Sequence, residues 1–163
     1  MSITKADWFG DAEWTADYEA LLWAGLKADG DFAKMMGKGT WRTFDEHLLQ
    51  SEHILPSMCP FTGLYHAGIT LGRLLCDTLD NESITHGVRL AQATDRKADI
   101  MRHLLLFRAA LYGAWSTIQA ARGSSLGHIR FENVTLYRYP GPDDRPRPIW
   151  VADLNLVAWF PAP

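Results

Sequence analysis

Cysteine is scarce in this chain, a long apolar run is missing, and neither sign of charge dominates. The two cysteines among 163 residues, Cys59 and Cys76, have no metal-ligand spacing and no disulfide framework, which predicts reduced thiols in a cytosolic setting. The stretch HLLLFRAALYGAW is interrupted by Arg108, so no membrane span is predicted. The opening residues, MSITKADWFG, contain no apolar signal-peptide core. A net charge of −3 gives no overall attraction to nucleic acid or anionic membrane.

Tryptophan is abundant, and the charge is unevenly distributed. The chain has seven tryptophans, a residue type that is enriched where proteins meet. Residues 1–60 carry five Lys and Arg against ten Asp and Glu, whereas residues 61–163 carry eleven against nine. This division suits head-to-tail contact between copies of one chain, or two faces that meet different partners, although scattered solvated charges explain it at least as well.

Apolar residues at helical spacing predict two long helices. The first extends from about Asp11, as its N-cap, to Asp29, and a short helical piece follows over 31–39. The second begins near Asp95 and ends near Gly123. Its apolar stripe consists of Ile100, Leu104, Phe107, Leu111, Trp115 and Ile118, and it is broadened by Met101, Leu105 and Tyr112.

The remaining segments predict a sheet. Residues 38–57 are interpreted as a long irregular connection, and the pattern at 69–80 fits a helix or a strand. Strands are predicted over 57–68, 83–93, 128–140 and 149–160. The last two are joined by the turn GPDDRPRP and predict an antiparallel hairpin. The expected fold is one α+β domain over 1–163, a small, mostly antiparallel sheet with helices packed on one side, preceded by a candidate flexible arm at 1–10.

The segment GSSLG, residues 123–127, matches the Gly-x-Ser-x-Gly pattern of serine hydrolases. A nucleophile elbow lies between a strand and a helix, and an acid and then a histidine follow it. Here a helix precedes the segment and a strand follows, and the only later histidine is His128. We therefore expect a helix stop and a turn, and we expect that changing Ser125 to Ala leaves function intact.

No catalytic set, metal site or cofactor is predicted from the remaining residues. His66, His86 and His103 are isolated in the sequence, and each is interpreted as a hydrogen-bonded core residue. If folding gathered them, the chain would be a small enzyme or ligand-binding domain with a His-lined pocket, and this alternative stays open.

Two sets of residues are candidates for interaction surfaces. Trp8, Phe9 and Trp41 lie in segments without clear periodicity and are candidates for a subunit interface or for lids over the core. The same residues could bind a single partner if the chain were an adaptor. Four arginines could form a basic face or line a channel carrying DNA without sequence readout: Arg130, Arg138, Arg145 and Arg147. In an unbulged strand Arg130 and Arg138 would share one face.

The order of these elements resembles the small tail-terminator and tail-completion proteins of long-tailed bacteriophages. YEALLWAGLKADGDFAKMMG is similar to the opening helix of that family, and LPSMCPFTGLYHAG to its proline-led strand. DRKADIMRHLLLFRAALYG is similar to the helix across the sheet, and HIRFENVTLYRYP and WVADLNLVAWF to the closing hairpin. The segments 38–57 and 66–80 have no counterpart in this resemblance.

The resemblance implies a non-enzymatic virion protein of the head–tail neck, assembled in the host cytoplasm. Such proteins form a ring, typically a hexamer, that caps the tail tube and meets a head connector or stopper protein. DNA passes through the lumen of the ring without sequence readout. No cofactor and no membrane contact are implied.

Overall fold

A computed structural model describes residues 5–44, 54–70, 74–75, 78–79, 82–122, 127–139 and 148–160. Side chains are described only within these ranges, from residue 17 onward, and not at every position. The helices are α1 (Lys5–Ala28), α2 (Gly30–Met36) and α3 (Lys97–Arg122), with a short 3-10 turn at Pro56–Met58. The strands are β1 (Thr40–Thr43), β2 (Phe61–Thr70), β3 (Leu74–Leu75), β4 (Thr78–Leu79), β5 (Glu82–Ala93), β6 (His128–Tyr139) and β7 (Ile149–Phe160).

The α+β fold class is confirmed. Five strands form one mixed sheet in the order β1-β2-β5-β7-β6, and β3 pairs with β4 in a separate two-stranded ladder. β1 is parallel to β2, whereas the other neighbours are antiparallel, including the predicted β6–β7 hairpin. β1 and β6 are therefore the terminal strands of the sheet.

The core lies between the three helices and one face of the sheet. Tyr18 and Leu22 of α1, Phe32 of α2 and Phe107 of α3 are fully buried against strand residues such as Val88. Burial of this apolar area is the main stabilising contribution, at about 25 cal/mol per Å² removed from water. A second cluster covers one end of the opposite sheet face: Phe44, Ile54, Phe61, Ala91, Ile149 and Val151.

The first helix begins earlier than its sequence pattern indicates. α1 starts at Lys5, so Asp11 lies inside the helix and the prediction of Asp11 as N-cap is wrong. Nucleating a helix is costly, but each further residue adds a backbone hydrogen bond, so a nucleated helix extends past Gly10. At the other end, the Asp29 side chain accepts a hydrogen bond from the Phe32 N–H at 2.9 Å and caps α2.

The segment 38–57 contains a strand that the sequence pattern does not predict. β1 pairs in parallel with β2, and the Thr40 N–H donates to the Pro60 carbonyl at 2.8 Å. The interpretation of 40–43 as irregular is wrong because the partner of this strand lies about twenty residues away. Residues 45–53 of the same connection lie outside the described residues. The sequence pattern at 69–80 fitted a helix or a strand, and the residues of this segment that the structure describes belong to strands β2, β3 and β4.

Candidate interaction surface

An irregularity in β6 determines which of its side chains face the helices. Glu132 pairs with Asn155 of β7, and the next paired residue of β6, Thr135, pairs with Asp153. Three residue steps on β6 thus match two on β7, so Asn133 and Val134 form a β-bulge. Asn133 has a left-handed backbone with φ of 54°. Side chains alternate along a strand, so one extra residue reverses the alternation beyond it. The bulge therefore divides β6 into two halves with opposite facing patterns.

The bulge separates two arginines that were predicted to share a face. Arg130 pairs with Val157 of β7, and Arg138 pairs with Trp150. These partners are an odd number of residues apart, so they face opposite sides of the sheet. The shared face was expected for an unbulged strand, and because β6 has a bulge the two arginines do not share a face. Arg145 and Arg147 lie outside the described residues.

Exposed apolar side chains are concentrated beside β6. Of the five large hydrophobic residues that are exposed in the described part of the chain, four belong to α3 or β6: Met101, Leu105, Tyr112 and Val134. Leu105, Tyr112 and Val134 are 56%, 46% and 47% exposed. Single exposed apolar residues are ordinary on a protein surface, whereas a cluster of them indicates an interaction site.

A groove of about 400 Å³ runs between α3 and β6. The α3–β6 groove is lined by Leu104, Leu105, Arg108, Tyr112, Arg130, Phe131, Glu132 and Val134. The ring of Phe131 lies 6.1 Å from that of Phe107 in the core and 5.4 Å from that of Tyr112. In the part of the chain that the structure describes, the groove is therefore an uncovered outward continuation of the core.

Two arginines are among the residues that line this groove. The guanidinium of Arg108 lies 5.3 Å from the centre of the Tyr112 ring, and that of Arg130 lies 5.3 Å from the Trp159 ring. Arg130 also pairs with Glu132 at 3.1 Å. An arginine stacked on a ring still presents N–H donors at its edge, in the fork geometry that binds carboxylates. Because Arg130 pairs with Val157 and lies on Trp159, its guanidinium is on the sheet face away from the helices, and Arg108 supplies the positive charge at the helix side of the groove.

The opposite side of the molecule is formed by α1 and β1. Glu19 of α1 accepts a hydrogen bond from the Thr43 hydroxyl at 3.1 Å, and Thr43 accepts one from Trp23 Nε1 at 3.0 Å. By sequence, α1 contains five carboxylates and two lysines, whereas α3 contains four lysine or arginine side chains and one aspartate. The two terminal strands of the sheet are therefore accompanied by helices of opposite net charge.

Of the three aromatic interface candidates, the structure describes one side chain. Trp41 of β1 is partly buried, and its ring lies edge-on to Phe32 at 5.3 Å and to Trp23 at 6.2 Å. Trp8 and Phe9 lie within α1, and their side chains fall outside the described part. Trp41 therefore contributes to the core and remains partly accessible on the α1–β1 side.

His66 and His86 are brought together in register, and His103 is held in a different set of contacts. His66 and His86 are paired residues of β2 and β5, and the His66 side chain is outside the described part. His86 is buried, with its Nε2 at 3.3 Å from a Glu19 carboxylate oxygen and its ring 5.4 Å from that of Tyr18.

His103 lies in a buried hydrogen-bonded chain. Gln92 Nε2 donates to His103 Nδ1 at 3.1 Å, so the ring proton is on Nε2, which donates to the Thr62 hydroxyl at 2.9 Å. The Thr62 hydroxyl lies 3.2 Å from the Met36 sulfur. Burial lowers the pKa of His103 from 6.5 to about 3, so the ring is neutral near pH 7. Both ring nitrogens of His103 are engaged within the core.

On the sheet face away from the helices, an ion pair joins two neighbouring strands. Arg89 of β5 binds Asp153 of β7 through two N–H···O contacts of 2.8 and 3.1 Å, and the Tyr137 hydroxyl donates to Asp153 at 2.9 Å. Burial acts to lower the pKa of Arg89, but the hydrogen bond and negative charge of Asp153 outweigh it, so the pKa is raised. The ion pair therefore stays charged and fixes the register of this face.

The sequence contains one usable signal for the α3–β6 groove. The apolar stripe of α3 is too broad for one sheet contact, and its extra members, Leu105 and Tyr112, are the residues left exposed. They broaden the stripe beyond its core side, and they are exposed because β6 is the last strand of the described sheet and no strand in the described ranges covers them. Asn133, a residue type that tolerates left-handed backbone, stands where the apolar alternation of β6 changes phase.

Comparisons of this chain with protein-family models and with curated proteins find no match. Within the described ranges, no helix is long and apolar enough to cross a membrane. Among the same residues, no group of three or more His, Cys, Asp and Glu side chains is placed to hold a metal ion.

Residues 123–126, including Ser125, lie outside the described part, as does Cys76. Burial raises the pKa of the Cys59 thiol to about 12.

Proposed function

We propose that this chain is a structural subunit of a closed head-to-tail ring, and in particular a tail-terminator protein in the neck of a long-tailed bacteriophage. The observation that carries the proposal is the contrast between the two sides of the sheet. One side bears the apolar α3–β6 groove with Arg108 at its border, and the other bears α1, whose sequence is acidic, beside β1. A ring requires such an unlike pair, because one surface of each copy must complement a different surface of the next.

The fold supports the phage assignment through the order of its elements. Helices α1 and α2, strand β2, helix α3 and the β6–β7 hairpin occur in the order on which the resemblance to tail-terminator and tail-completion proteins rests. The helix α3 packs across the sheet through Phe107 and Ile118, as that resemblance implies. The fold alone is compatible with other activities, so the surface contrast carries the assembly role.

In this proposal the ring caps the tail tube, stops its growth and contacts a head connector or stopper protein. The protein is then located in the virion neck after assembly in the host cytoplasm, and it has no enzymatic role. DNA passes through the lumen and is contacted, where it is contacted at all, through phosphates and not through base edges. The alternative of a His-lined ligand pocket has weaker support, because both ring nitrogens of His103 are hydrogen-bonded within the core.

The direct test combines light scattering with electron microscopy. The purified chain should form a ring of defined mass, and adding it to polymerising tail-tube protein should give capped tubes of uniform length. A control protein of similar size and net charge should leave tube growth unchanged. A chain that stays strictly monomeric and does not arrest tube growth would overturn the proposal.

A further inference from the structure

We infer that the α3–β6 groove is the receiving surface for a second copy of this chain, which enters it with its acidic α1–β1 side. This inference rests on the proposed function, because it identifies the two surfaces that would meet in the ring. It concerns contacts between copies and is independent of what the ring caps.

The apolar lining explains why a protein surface fits the groove. Leu105, Tyr112 and Val134 are each about half exposed around a cleft of about 400 Å³. Val134 lines this cleft because the bulge directs it to the helix side. Large apolar side chains that surround a concave site are typical of the centre of an interface, where water is excluded.

The charges favour an acidic occupant. Arg108 of α3 carries its charge at the border of the groove, whereas the Arg130 side chain faces the other side of the sheet, where it pairs with Glu132. The Arg108 guanidinium lies against the Tyr112 ring, which reduces the entropy lost when it binds a carboxylate. By sequence α1 is acidic, and of its carboxylates that the structure describes, Asp17 is exposed and Glu19 contacts Thr43 and His86.

The position of the two surfaces requires that different copies meet. β1 and β6 are the two terminal strands of a five-stranded sheet, so the α1–β1 side of one chain is remote from its own groove. When two copies meet through these unlike surfaces, the pair still has one uncovered groove and one uncovered α1–β1 side. The contact therefore repeats from copy to copy, and the assembly is finite where the rotation between copies closes a ring.

The bulge also indicates how the copies recognise each other. A bulge in an edge strand interrupts the row of backbone groups that another strand would need for pairing. Addition of a neighbouring strand along the whole of β6 is therefore disfavoured. Recognition occurs through side chains inserted into the groove.

The first experiment changes the groove and measures association by sedimentation velocity. Leu105→Glu and Arg108→Glu should each weaken association by about tenfold or more, since buried interface anchors contribute at least that much. The matched controls are Ala120→Glu and Arg102→Glu, which change exposed residues of α3 that do not line the groove. The controls should associate like the unchanged chain, and circular dichroism should show all four variants folded.

The second experiment identifies the occupant by mixing two variants. Leu105→Glu disables the groove of one copy, and Asp17→Arg reverses an exposed charge on α1 of the other. Each variant retains the surface that the other lacks, so the mixture should form one-to-one pairs and nothing larger. If Asp17→Arg assembles like the unchanged chain, or the mixture forms no pairs, the acidic α1–β1 side is not the occupant.

The possible failures are distinguishable. If the unchanged chain forms rings and the groove variants form them equally well, this inference is wrong and the proposed ring function stands. If the unchanged chain is monomeric at all concentrations and does not arrest tube growth, both are wrong.

Discussion

At the residue scale, His103 shows how a polar ring is accommodated in a closed core. Its two nitrogens are matched by one donor, the Gln92 amide, and one acceptor, the Thr62 hydroxyl. A neutral imidazole has one acceptor and one donor nitrogen, so the fit requires no charge. A protonated ring would have two N–H donors, and the one on Nδ1 would meet the N–H of the Gln92 amide, which is also a donor.

We expect stability to fall in mild acid because of His103. Its pKa is about 3 in the folded chain and 6.5 as the reference value, so between these values the unfolded state binds one more proton. The free energy of unfolding therefore decreases as pH is lowered through this range, by about 2 kcal/mol between pH 7 and 5 from this group. Urea unfolding at the two pH values measures the difference.

His103→Gln is the control for this pH dependence. The variant is expected to be less stable at both pH values. Its free energy of unfolding should nevertheless change between pH 7 and pH 5 by about 2 kcal/mol less than that of the unchanged chain. An unchanged difference would show that other groups cause the acid sensitivity. Nitrogen chemical shifts of the ring should independently report a proton on Nε2 near pH 7.

Asn133 is the second residue with a definite stability prediction. Its φ of 54° lies in the left-handed region, which asparagine and glycine adopt more easily than other residues. Asn133→Ala should destabilise the chain by about 1 kcal/mol, whereas Asn133→Gly should change the unfolding midpoint little. Equal effects of the two substitutions in urea unfolding would contradict a role for backbone conformation.

At the element scale, the packing of α1 on α3 depends on a glycine. A Cβ added at Gly25 would lie 2.6 Å from the Ala114 Cβ, closer than two such atoms can approach. Gly25→Ala should therefore destabilise the chain by about 1 kcal/mol or more, because the cost of overpacking exceeds the gain in helix propensity. Thermal and urea unfolding measure this change.

Gly113 provides the matched control for Gly25. It lies in α3, and an added Cβ would meet nothing within 4 Å. Gly113→Ala should stabilise the chain by about 0.5–1 kcal/mol through helix propensity alone. If both substitutions stabilise the chain, the two helices do not approach as closely as described.

At the scale of the whole molecule, the helices of opposite net charge predict that assembly depends on salt. Charged surfaces that are exposed before contact are screened over about 10 Å at 0.1 M salt and about 3 Å at 1 M. The association constant should therefore fall as NaCl is raised from about 0.1 M to about 1 M, as measured by sedimentation.

Two glutamine variants test whether the groove causes this salt dependence. Arg108→Gln should reduce the dependence, because it removes a charge at the border of the groove, and Arg102→Gln should leave it unchanged. Association that strengthens with salt would indicate that apolar burial dominates and that the charge contrast has little role.

Most of the secondary structure could be predicted from the sequence because it depends on local patterns. The stripe through Ile100, Phe107 and Ile118 repeats at helical spacing, and the structure places these residues in the core side of α3. The closing hairpin likewise follows from two alternating segments and a turn rich in Pro and Gly. The helix, strand, helix and hairpin order, and with it the fold class, required no tertiary information.

The candidate surface depended on contacts that no local pattern contains. The strand at 40–43 exists because β2 pairs with it, and Leu105 and Tyr112 are exposed because β6 ends the sheet beside them. One extra residue at Asn133 determines that Arg130 and Arg138 face opposite sides of the sheet, and the amino-acid composition of β6 does not reveal this reversal. Sequence alone thus determined the elements, since periodicity and turn chemistry are local. Only the tertiary structure decided the surfaces, since exposure depends on which distant segment lies alongside.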